Sequence, residues 1–195
     1  MSRQHQQERS EAVKQMILEA ALEIELEDGE DKVTVRRIGE KIGYSTGVIY
    51  YHFRDKQDII DELSRKIDTE AYETVKAFID SEKTIRENLK CLYIGIATLA
   101  KTKPIEYKRI FTNRRAYGRS HEAWAELIKE VLDVAVERGE LKARDTTVLT
   151  NCLLGYIIGC NILFLEHKMG GVNVTEEFAE SIVKVILDGL YNSGL

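Results

Sequence analysis

Cationic and aromatic side chains are concentrated between Lys32 and Lys56, although the chain as a whole is acidic. The 195 residues carry a formal net charge of −5, whereas this segment holds six cations against two anions. Ammonium and guanidinium groups bind phosphate oxygens, and a local cationic surface on an acidic protein indicates a polyanionic partner. The six cations are Lys32, Arg36, Arg37, Lys41, Arg54 and Lys56.

A short helix beginning at Val35 is predicted to position the first of these cations. Val35, Ile38 and Ile42 recur at i, i+3 and i+7, which is the spacing of one apolar face on a helix. Thr34 precedes this face at the position where a hydroxyl oxygen caps the first turn.

A second short helix, over residues 46–51, is predicted to follow across a glycine turn. Gly43 can adopt the left-handed conformation that ends the first helix, and Gly39 allows the second helix to approach closely. Ser45 is the expected cap of the second helix and Ile49 its buried contact. In such a pair the second helix enters the major groove of DNA, so the segment predicts a helix-turn-helix.

The motif VTVRRIGEKIGYSTGVIYYHFRDKQDII contains a Gly-x-Ser turn, an aromatic-aromatic-His-Phe run and a following Asp-Lys pair. In this combination it resembles the DNA-binding signature of the tetracycline-repressor (TetR) family of bacterial regulators. The resemblance implies an all-α fold of about nine helices, with an N-terminal three-helix helix-turn-helix head and a C-terminal helical bundle. Residues 1–55 would form the DNA-binding domain, and residues 56–195 the ligand-binding and dimerisation domain.

The resemblance also implies which residues contact DNA. Arg36 would reach a base edge or a phosphate, and Lys56 would hold a phosphate at the N-terminus of the next helix. Structural roles are the alternatives: Tyr50 or Tyr51 could belong partly to the core, Arg37 could be only a solvated charge, and His52 could cap its helix. The expected DNA-binding residues are Thr34, Arg36, Ser45, Thr46, Gly47, Val48, Tyr50, Tyr51, His52 and Lys56.

Two segments flank this motif. Seven acids and no base lie between Glu19 and Asp31, at the end of a first helix predicted over residues 10–27. We expect this acidic run to be a solvated face turned away from DNA.

A long helix from Asp55 to about Asp80 is predicted to connect the head to the body.

Twenty consecutive uncharged residues, from Thr146 to Leu165, are long enough to cross a bilayer. Asn151 and Asn161 are costly in lipid, and no second such stretch exists, so a buried helix at a subunit interface is the preferred interpretation. The resemblance implies a homodimer in which this helix and the last one pair with their symmetry mates. The expected interface residues are Leu153, Gly155, Tyr156, Gly159, Leu163, Phe178, Ile182 and Ile186.

A small-molecule pocket inside the body is also implied by the resemblance. Aromatic and aliphatic walls with a few amides would suit a largely apolar effector. Ordinary core packing is the alternative for each lining residue, and the basic stretch over residues 101–119 is interpreted as a solvated face rather than an anion site. The candidate lining residues are Tyr93, Ile96, Tyr107, Phe111, Tyr117, Trp124, Asn151 and Asn161.

The predicted function is a ligand-responsive transcriptional regulator, a repressor released from a palindromic operator. Its expected partners are double-stranded DNA, a small-molecule effector and a second copy of the chain, without a membrane. The alternative is a helix-turn-helix scaffold that acts through a protein partner. No nucleophile–base pair, metal-ligand set or phosphate loop is apparent, so no catalysis, metal or cofactor is expected. An apolar signal region is missing after MSRQHQQERS, and the expected location is therefore the cytoplasm.

Overall fold

A computed structural model of the chain describes residues 3–112, 117–142, 145–166 and 176–192. Throughout these residues the fold is all-α, as the sequence predicts, and it divides into two compact units, Met1–Lys66 and Ile67–Leu195. A functional boundary after residue 55 stays a prediction. The helices are α1 (Arg3–Asp28), α2 (Val35–Ile42), α3 (Thr46–His52), α4 (Lys56–Lys76), α5 (Ile85–Thr102), α6 (Pro104–Thr112), α7 (Tyr117–Glu137), α8 (Thr147–Leu165) and α9 (Glu176–Asn192).

The first unit is built around the apolar face of α1, on which α2 and α3 pack. Ile17, Ala21 and Ile24 of α1 are buried together with Ile38 of α2 and Ile49 of α3. This face follows the helical spacing of the sequence and fixes three helices around one small core. The helix α1 begins at Arg3 rather than near residue 10, so it has about two more N-terminal turns than predicted. The residues of these turns are polar and lack the apolar spacing from which a helix is predicted.

The turn between α2 and α3 has the geometry that its residues predict. Thr34 caps α2, and its hydroxyl accepts a hydrogen bond from the Arg37 backbone N–H at 3.2 Å. Gly43 ends the helix with φ 73°. A Cβ atom on Gly39 would lie 2.7 Å from the Tyr44 carbonyl oxygen and 3.4 Å from Cδ1 of Ile49. The close approach of the two helices therefore requires glycine at position 39.

The connecting helix α4 ends earlier than predicted. Its start is capped by Asp55, whose Oδ1 accepts from the Asp58 backbone N–H at 2.9 Å. The helix ends at Lys76 instead of continuing to Asp80, and Phe78 is 55% exposed in the turn that follows. The apolar spacing that predicts the longer helix therefore extends past Lys76 to a Phe78 side chain that is mostly exposed.

The second unit is a bundle in which α5 is central and contacts α6, α7, α8 and α9. A capping box starts α5, as predicted: the Thr84 hydroxyl accepts from the Glu87 N–H at 3.3 Å, and Glu87 accepts from the Thr84 N–H at 2.8 Å. Leu92 and Ile96 on its inner face are fully buried. Gly139 follows α7 with φ 74°, in agreement with the predicted stop.

The apolar helix α8 is only partly covered by its own chain. Among the described residues it is the one helix long and apolar enough to cross a membrane. The rest of the chain buries only 28% of its most apolar stretch. Val148, Tyr156 and Leu163 are among the large exposed hydrophobic side chains. A surface this apolar and this open is typical of a helix that packs against another molecule.

Substitution of Gly39 by Ala should destabilise the first unit. Alanine favours a helix interior by about 1 kcal/mol relative to glycine, but here the added methyl group would press against a backbone oxygen that cannot move aside. We expect a net loss of roughly 1–3 kcal/mol in the free energy of unfolding, measured by urea denaturation. Gly47→Ala is the matched control, since its nearest contact would be Ser45 Oγ at 3.6 Å. Equal effects of the two substitutions would contradict the close approach.

Candidate nucleic-acid interface

The outer face of α3 presents the aromatic and small residues that the sequence singles out. Tyr50 and Tyr51 are 57% and 80% exposed, while Ile49 on the opposite side is fully buried. The Tyr51 ring meets the His52 ring edge-on, with centroids 5.1 Å apart. Large aromatic groups held in water at the surface of a short helix are well placed for sugar and phosphate contacts.

The N-terminal end of α3 is open. Thr46 and Gly47 are exposed, and Val48 is half-buried. Ser45 occupies the N-cap position as predicted, but its side chain makes no capping hydrogen bond. The first turn of α3 therefore offers uncapped backbone N–H groups next to residues that leave room for a base pair or a phosphate.

Arg36 lies on the exposed side of α2. Its side chain is 84% exposed, and its Nε donates to the Glu40 carboxylate at 2.8 Å, one turn further along the helix. This hydrogen bond raises the pKa of Arg36. Arg36 is thus accessible but already paired.

The acidic end of α1 forms ion pairs with the helix-turn-helix that the sequence did not predict, although the paired carboxylates stay largely exposed. That this face is turned away from DNA stays a prediction. Arg37 contacts Asp28 at 2.5 Å. Lys41 contacts Glu23 at 3.1 Å and Glu27 at 3.3 Å, and the Glu23 contact is the largest cause of its raised pKa. Opposite charges far apart in sequence meet because α1 packs against α2.

The start of α4 contributes two further cations. Arg54 pairs with Asp58 at 3.3 Å, and its backbone N–H donates to the same carboxylate at 3.0 Å, which is the main reason that the pKa of Asp58 is lowered. The Lys56 ammonium donates to the Glu30 carbonyl oxygen at 2.9 Å. An ammonium carries three N–H donors, so this contact positions Lys56 without using its capacity for a phosphate.

In the second unit, four of the predicted pocket residues form part of a continuous aromatic core. Tyr93, Tyr107, Phe111 and Trp124 are at most 2% exposed. Ring centroids are 4.8 Å apart for Tyr107–Phe111 and 5.5 Å apart for Phe111–Trp124. The Trp124 indole donates to Asp68 of α4 at 3.0 Å, a contact that sequence reasoning missed because nothing in the local spacing of Asp68 marks it as partly buried.

A buried amide adjoins this core. Asn161 is fully buried in α8, and its Nδ2 donates to the Ile157 carbonyl oxygen at 2.8 Å. Because a carbonyl can only accept, the amide orientation is fixed, and Oδ1 has no hydrogen-bond partner among the described residues. The Tyr107 hydroxyl donates to the Ile158 carbonyl oxygen at 3.2 Å. Burial raises the pKa of Tyr107 well above its usual range.

The other candidates in the second unit are divided between core and surface. Ile96 is buried in the core, and the side chain of Tyr117 lies outside the described residues. Asn151 is exposed instead, in an open groove of about 480 Å³ between α7 and α8 that also contains Glu122. Asn151 donates to the Thr147 carbonyl oxygen at 3.0 Å. It therefore belongs to the outer face of α8.

The predicted interface residues are similarly divided. Gly155, Tyr156 and Leu163 are exposed, whereas Gly159 and Ile186 are half-buried. Leu153 and Ile182 are buried within their own chain, and the side chain of Phe178 lies outside the described residues.

The all-α fold, with α3 exposed across a glycine turn from α2, defines a helix-turn-helix DNA-binding protein. Residues 17–63 match the family model described as "Bacterial regulatory proteins, tetR family". The N-terminal head thus resembles this family of transcription regulators, and the fold of the described residues is the fold seen in its members.

Three known proteins illustrate the extent of the similarity. The HTH-type transcriptional repressor Rv1474c of Mycobacterium tuberculosis is 46% identical over 59 residues, 30% of this chain and 31% of the repressor. The nucleoid occlusion factor SlmA of Citrobacter koseri is 23% identical over 158 residues, 76% of this chain and 80% of SlmA. The crystal structure of a putative tetR family transcription regulator from Shewanella sp. PV-4 superposes with a TM-score of 0.65 at 19% identity, covering 89% of this chain and 95% of that one.

Replacement of Lys56 by Ala should weaken binding to every DNA sequence. The loss of one phosphate contact should reduce the slope of log affinity against log salt by about 0.9. Fluorescence polarisation over a salt series measures this slope, and Lys184→Ala, which removes an exposed charge on α9, is the control. Lys56→Ala also removes the hydrogen bond to the Glu30 carbonyl oxygen, and urea denaturation measures how much stability the head loses as a result. Parent-like affinity and slope for the Lys56 variant would contradict the phosphate assignment.

Proposed function

We propose that the protein is a cytoplasmic, homodimeric repressor that a small, largely apolar effector releases from a palindromic operator. The observation that carries this proposal is the hydrogen bond from Trp124 to Asp68, since it ties the aromatic core of the body to α4. The N-terminus of α4 carries Lys56 beside the DNA-reading turn. A change in the core can therefore be transmitted through one continuous helix to the head.

The exposed face of α8 supports the dimer. Gly155 and Gly159 leave open space, because nothing lies within 4 Å of where their Cβ atoms would be. On α8, Tyr156 and Leu163 are 42% and 44% exposed, and on α9, Val185 is 72% exposed. Apolar groups around two glycines allow two helices to pack closely. A dimer also explains how small heads gain specificity, since two of them can read an inverted repeat.

The chemistry of the core suggests what the effector carries. Asn161 Oδ1 is a buried acceptor, and an unsatisfied buried polar atom costs about 1–3 kcal/mol. A ligand that donates one hydrogen bond from a hydroxyl or amide group would remove this cost. Its apolar remainder would pack against Tyr93, Phe111 and Trp124, in place of the contact that the Phe111 and Trp124 rings now make.

The similarity to SlmA supports a second candidate function. This relative is matched over most of both chains and is named a nucleoid occlusion factor rather than a ligand-responsive repressor. A DNA-bound scaffold that acts through a protein partner would need the head and the dimer but no opening of the aromatic core. Operator release by a small molecule distinguishes the two functions.

Trp124 is the only tryptophan in the sequence and therefore reports directly on the core. A screen of neutral lipophilic compounds should yield a molecule that changes its emission and weakens operator binding at saturation. Trp124→Phe keeps an aromatic ring in the core but loses the N–H donor to Asp68. The factor by which the compound weakens operator binding should therefore be several-fold smaller in this variant than in the parent. Unchanged operator affinity of the compound-saturated parent at matched salt would contradict effector control.

Leu163→Glu should convert the dimer to a monomer. The position is exposed within one chain, so the substitution leaves that chain's core intact but would place an unpaired charge inside the interface. Light scattering should give the mass of one chain, 22.3 kDa, instead of twice that value. Phe78→Glu introduces the same charge at another exposed apolar position and should remain dimeric. If both variants stay dimeric, α8 does not form the interface.

A further inference from the structure

Four cations of the helix-turn-helix segment pair with carboxylates, and they fall into two groups by exposure. Arg37 and Lys41 are 40% and 30% exposed and pair with carboxylates of α1, so they hold α2 against α1. Arg36 and Arg54 are 84% and 85% exposed, and each pairs with a carboxylate one turn further along the chain. Of these four cations, only the second pair is exposed enough to exchange its partner for a phosphate without separating α2 from α1.

The carboxylates that pair with the second group also differ. Asp58 accepts from the Arg54 backbone N–H at 3.0 Å as well as from its side chain, so it stabilises the start of α4. Glu40 is 60% exposed, and Arg36 is the only hydrogen-bonding or ionic partner of its side chain within the described residues. An exposed pair of this kind contributes little to stability. Stability therefore does not explain why the Glu40 carboxylate lies beside Arg36 on a surface that is expected to bind phosphates.

We propose that Glu40 is a specificity-determining residue that keeps Arg36 from binding DNA of the wrong sequence. This inference rests on the proposed DNA-reading function. On random DNA, Arg36 stays with Glu40, and the carboxylate repels nearby phosphates. On the operator, the base edge or phosphate that Arg36 reaches replaces Glu40 as its partner. The carboxylate thus weakens non-specific binding more than specific binding, which is how a repulsive element creates selectivity.

Glu40→Gln tests this proposal, because glutamine keeps the size of the side chain and removes its charge. Glu19→Gln is the matched control: Glu19 is also an exposed carboxylate of the head, and it accepts from Gln15 four residues before it at 2.5 Å. Affinities are measured over a salt series for a duplex selected from random DNA and for a scrambled duplex of the same composition. Arg36→Ala and the Arg36→Ala/Glu40→Gln double variant complete the cycle.

We expect Glu40→Gln to bind the scrambled duplex about three- to tenfold more tightly, with a salt slope steeper by up to about 0.9. The selected duplex should gain less, so the ratio of the two affinities should fall. Glu19→Gln should change neither the ratio nor the slope. The Glu40→Gln effect should be much smaller when Arg36 is already Ala, because only the direct repulsion between Glu40 and phosphates then remains. A structural role for Glu40 would instead lower the unfolding midpoint without changing the ratio.

Equal behaviour of the two glutamine variants would overturn the proposal, as would a full Glu40→Gln effect in the absence of Arg36. In either case the parent would still prefer the selected duplex, so the proposed function would stand. If the parent binds neither duplex, the DNA-reading function itself fails, and this inference fails with it.

Discussion

The contact between Gly39 and the Tyr44 carbonyl oxygen is the constraint on which the reading surface depends. It lets the backbone of the turn lie directly against α2, so that Ile49 can pack on Gly39 and bury one side of α3. Burial of that side turns Tyr50 and Tyr51 outward. A methyl group at position 39 would push the turn away and change the direction in which α3 projects.

Charge is the second organising feature. The head places cations at its surface, but Arg37 and Lys41 are neutralised by carboxylates of α1, and Arg36 by Glu40. The net cationic excess of the helix-turn-helix segment therefore overstates the charge that is free to meet DNA. In our account, non-specific attraction to phosphates is kept weak, and recognition depends on a few exchangeable contacts.

Local patterns were sufficient to predict most of the fold. Thr34, Gly43 and the Thr84–Glu87 capping box act within one turn of a helix, and the structure places them as their spacing indicates. Contacts between distant segments were not predictable: Asp28 reaches Arg37, and Asp68 reaches Trp124, only after helices pack. For the same reason, sequence could not separate Asn161, inside the core, from Asn151, on the outer face of the same helix. Both are polar residues in one uncharged stretch, and only the position of neighbouring helices distinguishes them.

The central claim is that two copies of this head, held together through α8, read DNA as a symmetric pair. Selection of bound duplexes from a random pool by the purified full-length protein tests it most directly. Two symmetric heads should select an inverted repeat whose half-sites are centred about 10 base pairs apart, or a multiple of that spacing. Enrichment of a single unpaired half-site, or no enrichment of any sequence, would contradict it.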